Sequence, residues 1–151
     1  MLNTDPTSAY VLTWKKPSTN WLKCDVDGAI FMIEGKFGIG ICFRDSLSSS
    51  VQTYTMIFPF IVTAAECEAT TMKHALALAL SNGFERVIYL KVTVNSSLLN
   101  SNANYNIAYV RRQVNRVAHN LDRVSLFQSS SGVHHYYPPN YISSTILNEM
   151  Q

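Results

Sequence analysis

Asp25 and Asp27, two residues apart and followed by Gly28, are the first side chains whose types and spacing suggest chemistry. On a strand, residues two apart share a face. Trp21, Lys23, Asp25 and Asp27 then fall on one side, and Leu22, Cys24 and Val26 on the other. Like charges on one face repel and titrate as a coupled pair unless a cation sits beside them. The pair therefore reads either as a metal site on a central strand or as two solvated acids before a turn. Glu66 is the next candidate. Thr63-Ala64-Ala65-Glu66 has the form of a capping box, so this carboxylate either turns back on its own helix or points to the sheet as a ligand. Further on, Arg111 and Arg112 precede a segment in which Arg116, His119 and Arg123 recur at spacings of three and four. This basic helix face is either solvated or a contact surface for phosphates. His134-His135 lacks metal-site spacing and reads as surface.

Composition narrows the classes. A chain of 151 residues is one domain's worth and can bury a core. It is 47% hydrophobic and 15% charged, as ordinary globular proteins are. A net charge of +2 does not announce nucleic-acid binding, which would need a local basic patch. Cys24, Cys42 and Cys67 are odd in number and widely spaced. That argues against a disulfide framework or zinc site and for a reducing compartment. No apolar run suggests a signal peptide or membrane span, so a soluble intracellular protein is expected.

The elements that must position these groups follow in order. Residues 1–13 read as a disordered lead-in. Strands are expected at 21–28, 38–44 and 51–58, with 29–37 as a turn, giving an antiparallel meander. A helix follows from the Thr63 cap to Asn82-Gly83, with Ala65, Ala69, Met72, Leu76 and Ala79 at helical spacing. A strand at 86–94 should lie parallel to the first by the right-handed crossover rule. That would set the end of the Asp27 strand in the crevice where open α/β sheets place their chemistry. A polar stretch at 95–106, a strand at 107–110 and a helix at about 114–126 complete the body, with Val114, Val117, Leu121 and Val124 as its buried stripe. Residues 128–151 read as a serine-rich linker and a short C-terminal helix that docks on the domain.

Within this order the chain carries Trp14-x-x-Pro17, Trp21-Leu22-Lys23-x-x-Val26-Asp27-Gly28-Ala29, Gly38-x-Gly40 and Arg44-Asp45. Ala65-Glu66-x-x-Ala69, Gly83-Phe84-x-Arg86-Val87 and Arg112-x-x-Asn115-Arg116-Val117-Ala118-His119-x-Leu121 follow. In these motifs it resembles the ribonuclease H-like family, most closely its plant, retroelement-related branch. The resemblance implies an α/β fold over 14–127: a mixed five-stranded sheet, meander plus parallel strands, with flanking helices, truncated between strands 4 and 5. It also implies an RNA–DNA hybrid ribonuclease, a hydrolase in which acidic side chains hold two magnesium ions (Mg2+) against the scissile phosphate, about 3.5–4 Å apart.

Carried onto this sequence, the resemblance makes Asp27 the first catalytic and metal ligand and Glu66 the second. Asp25 is an extra charge. The third acid is absent: Val92 or Asn95 stands in its place, and asparagine offers one neutral oxygen. His119 replaces the fourth acid. Asp25, Asn95 and His119 are therefore further candidates, with Arg111, Arg112, Arg116 and Arg123 for nucleic acid. The expectation is a nucleic-acid-binding domain whose partner is an RNA–DNA hybrid, with catalysis weakened or lost. The alternative is a non-catalytic nucleic-acid-binding or protein-interaction remnant of a retroelement.

Overall fold

A computed structural model describes residues 14–91, 105–109, 116–125 and 132–135. The expected lead-in at 1–13, Asn95, Arg111, Arg112, Val114 and the expected C-terminal helix lie outside these residues. In chain order the elements are β1 (Leu22–Phe31), β2 (Lys36–Arg44), β3 (Ser50–Phe58), α1 (Ala64–Ser81), β4 (Val87–Lys91), β5 (Tyr105–Tyr109), α2 (Arg116–Ser125) and β6 (Gly132–His135). They form one mixed sheet in the order β5-β4-β1-β2-β3-β6. β1, β2 and β3 are the antiparallel meander, and β4 and β5 run parallel to β1.

β1 is longer than the sequence suggested. It runs through residues 29–31, and the turn is confined to 32–35, where Gly35 takes a φ of 65°. Ile30 pairs with Phe37 and so joins the apolar face, whose burial outweighs the weak local strand signal. β4 is flanked on both sides and buries residues of both faces, Val87, Tyr89 and Leu90. The link from β4 to β5 spans only residues 92–104, close to the lower bound of about a dozen residues for a parallel crossover.

The two helices cover opposite faces. α1 lies on the side of Cys24, Val26 and Gly28, where Ile39, Ile41, Phe43, Met72, Ala75 and Ala79 pack into the main core. α2 lies on the other side, where Val117 and Leu121 close over Cys42. The expected α1 stripe needs correction: Ala65 and Ala69 are exposed, and Cys67, Thr71 and Met72 point inward with Ala75 and Ala79. Alanines on several sides make the period ambiguous, and contact with β1 at Gly28 decides the roll. Asn82 caps the helix end and Gly83 takes the left-handed conformation, φ 70°, as the Asn-Gly pair implied.

A sixth strand was not foreseen. Residues 132–135, expected as part of a linker with a surface histidine pair, form β6 and cover the free edge of β3. The serine-rich lead into Gly132 hid it, because an edge strand of four residues carries almost no periodicity. Among the described residues no helix is long and apolar enough to cross a membrane. Cys24, Cys42 and Cys67 are all buried and form no disulfide.

Candidate functional site

β1 sets the site. Its described pairing with β4 runs from Leu22 opposite Val87 to Asp25 opposite Leu90. Asp27 stands two residues beyond the last described pair, opposite Gly40 of β2. It faces α2, because the alternate residue Gly28 faces α1. Val117 and Leu121, both wholly buried, fix the rotation of α2. The turn between them brings His119 over β1, and its Nδ1 lies 2.9 Å from Asp27 Oδ2. A carboxylate accepts, so Nδ1 is the donor. The Asp27 side chain is 10% exposed and that of His119 22%, which leaves the contact at the molecular surface rather than in the core. His119, on the face that the spacing left as either solvated or phosphate-binding, is partly buried and meets Asp27. It is the half-buried edge of α2 that meets the sheet.

Asp25 has a different job. It is fully buried on the same face, with Arg44 beside it. Arg44 Nε donates to Asp25 Oδ2 over 2.8 Å, and Nη2 lies 2.7 Å from the same oxygen. Trp14 Nε1 donates to Asp25 Oδ1 over 3.3 Å, and the indole lies 3.9 Å from Arg44 Cζ. Burial pushes the Asp25 carboxyl above its ordinary value, while Arg44 and then Trp14 hold it down. Breaking such a pair leaves an uncompensated buried charge. The i, i+2 acids, equivalent by sequence spacing, are divided by their partners: Asp25 braces the sheet through Arg44, and Asp27 meets His119 of α2.

Glu66 takes the first of its two readings. Its carboxylate accepts from the Thr63 backbone N–H over 2.8 Å, and its own N–H donates to Thr63 Oγ1 over 3.2 Å. Those bonds lower its pKa, the Thr63 backbone contribution first. The side chain is fully exposed to solvent, in the first turn of α1. Arg116 and Arg123 lie on α2, three residues before and four after His119, hence on one stripe with it. Among the described residues, no group of three or more histidine, cysteine or acidic side chains gathers to hold a metal ion. Hard magnesium demands several carboxylate oxygens. Among the described residues one acid is bound to an arginine, one caps a helix and one is bound to an imidazole, so the described donors do not by themselves fit two such ions.

Sequence reasoning overlooked Arg44 and Trp14. Both stood in quoted motifs, Arg44-Asp45 and Trp14-x-x-Pro17, without a role. Strand alternation carried the missing signal: in the observed register Arg44 opposes Lys23 and shares the face of Asp25.

The architecture has solved counterparts. An RNase H1 from the halophilic archaeon Halobacterium salinarum superposes with a TM-score of 0.61 at 17% identity, over 71% of this chain and 98% of that one. The fold is ribonuclease H-like. The N-terminal RNase H domain of a Mycobacterium tuberculosis protein, solved as a maltose-binding-protein fusion, gives a TM-score of 0.59 at 15% identity, over 71% and 94%. No family profile and no curated protein matches the chain. At these identities it is the ribonuclease H-like fold that is shared.

Proposed function

We propose that this chain is a nucleic-acid-binding domain of ribonuclease H-like fold, with an RNA–DNA hybrid as its partner and with hydrolysis weakened or lost. The observation that carries the reading is the contact of Asp27 with His119 on this fold. The position that would anchor a two-metal site is engaged by an imidazole, and its companions Asp25 and Glu66 have other partners. Binding then falls to the α2 stripe, Arg116 and Arg123, with Arg111 and Arg112 ahead of it. Each phosphate neutralised by such side chains releases counterions, so affinity should fall with salt at a log–log slope of about −0.9 per contact on a duplex. Four contacts would mean a slope of about −3 to −4. Fluorescence anisotropy with a labelled hybrid between low and physiological salt tests this; binding that ignores salt would refute it.

Any residual cleavage is assigned to Asp27, with Glu66 as the second acid and Asn95 as the neutral substitute for the third. Such activity, supported by added magnesium, should vanish in Asp27→Asn, and its survival there would exclude this site. Origin in the plant, retroelement-related branch, and a reducing intracellular setting, rest on the sequence motifs and on three cysteines that form no disulfide. A protein-interaction role is favoured by one observation: Met32 and Ile33 at the β1–β2 turn are 68% and 98% exposed. Absence of hybrid binding at low salt would turn the assignment to that reading.

A further inference from the structure

The contact between α2 and β1 joins residues 92 positions apart in the chain. We infer that His119 is a resident hydrogen-bond donor that takes the place of a divalent cation at Asp27, so that the domain carries nucleic acid with no metal there. The nucleic-acid half rests on the reading proposed above. The cation half stands on the geometry alone.

A cation approaching Asp27 Oδ2 meets the hydrogen of Nδ1–H, which is already 2.9 Å away measured between heavy atoms. Like-signed partial charges repel, so the imidazole has to swing aside before a metal can bind. The helix cannot carry the ring away, because Val117, Ala118 and Leu121 on either side of it are wholly buried. The two other described acids of the candidate set offer no help. Asp25 is saturated by Arg44 and Trp14, and Glu66 is tied to Thr63. A lone carboxylate is a poor site for a hard cation, which draws its affinity from the number of oxygen ligands. An N–H donor, by contrast, satisfies the Asp27 oxygen at no entropic cost of capturing an ion. His119 is therefore a positioning residue for Asp27, and a specificity element against divalent cations.

Manganese(II) titrated into the full chain, with free ion followed by electron paramagnetic resonance, tests the cation half directly. The wild type should show no saturable binding below about 1 mM, the weak end of all-oxygen protein sites. His119→Asp, which puts a second carboxylate against Asp27, should gain at least about tenfold in affinity, as added ligand charge does. That gain should disappear when Asp27→Asn is added. Should His119→Asp fail to fold, as judged by circular dichroism, His119→Ala serves instead and should also bind more tightly than the wild type. Submillimolar binding by the wild type that is lost in Asp27→Asn would overturn the inference, as would folded His119 variants that gain nothing. Hybrid affinity at constant ionic strength should be equal in magnesium and in a chelator. A loss in the chelator overturns the metal-free claim. A hybrid that binds under neither condition refutes the nucleic-acid reading while the manganese result stands.

Discussion

Gly28→Ala probes the joint between the candidate site and α1. A methyl group built on Gly28 would come within 2.7 Å of both Cys67 Sγ and Thr71 Oγ1, and 3.6 Å from the Gly38 carbonyl oxygen. The first two distances are about 1 Å inside ordinary contact. Neither atom can step aside freely: Thr71 Oγ1 donates to the Cys67 carbonyl over 2.7 Å, and Cys67 is buried against β1. Overpacking of this kind costs about 1–3 kcal/mol. Replacing glycine by alanine returns about 0.4–1 kcal/mol by restricting the unfolded chain. The net loss should therefore be about 1–2 kcal/mol, and for a chain of this length about 2–8 °C in Tm. Urea melts of Gly28→Ala, Cys67→Ala and the double variant form the assay. Removing Sγ makes room for the new methyl, so the double variant should be more stable than the sum of the single losses, by about 0.5 kcal/mol or more. A Gly28→Ala protein as stable as the wild type, or strict additivity, would refute the claimed close approach of α1 to β1.

Two further perturbations address the other acids. Arg44→Met strands the buried Asp25 carboxylate, and should destabilise the fold by about 3–5 kcal/mol, whereas the paired change with Asp25→Leu should recover most of that in a denaturant melt. Glu66 tests the cap through pH. Its folded pKa is lowered by the bonds to Thr63. Its contribution is thus fully present above the unfolded carboxylate value and is lost as pH falls through the lowered one. The wild type should therefore lose more stability on acidification across that window than Glu66→Gln does; identical pH profiles would remove Glu66 from the cap.

Some of this molecule was legible from local sequence, and the reason is range. The Thr63–Glu66 box and the Asn82-Gly83 stop act between residues within a turn of one another, so the ends of α1 could be read directly. Alternation in β2 and the crossover from α1 to β4 likewise follow from strand periodicity and chain handedness. The choice between the two meanings of Glu66 could not be read, because both use the same residue in the same turn. The roll of α1 was hidden for a related reason: its alanines permit several faces, and the absence of a Cβ at Gly28 selects one.

The fates of Asp25 and Asp27 separate the two kinds of information most clearly. Their types, their spacing and their shared face belong to the sequence. Their partners come from 19 and 92 residues away, Arg44 across the meander and His119 from α2. Only closure of the sheet and the seating of Val117 and Leu121 on Cys42 bring those groups within hydrogen-bonding range. Hydrogen bonds and ion pairs act over a few ångströms, and a linear chain does not say which distant residues will come that close.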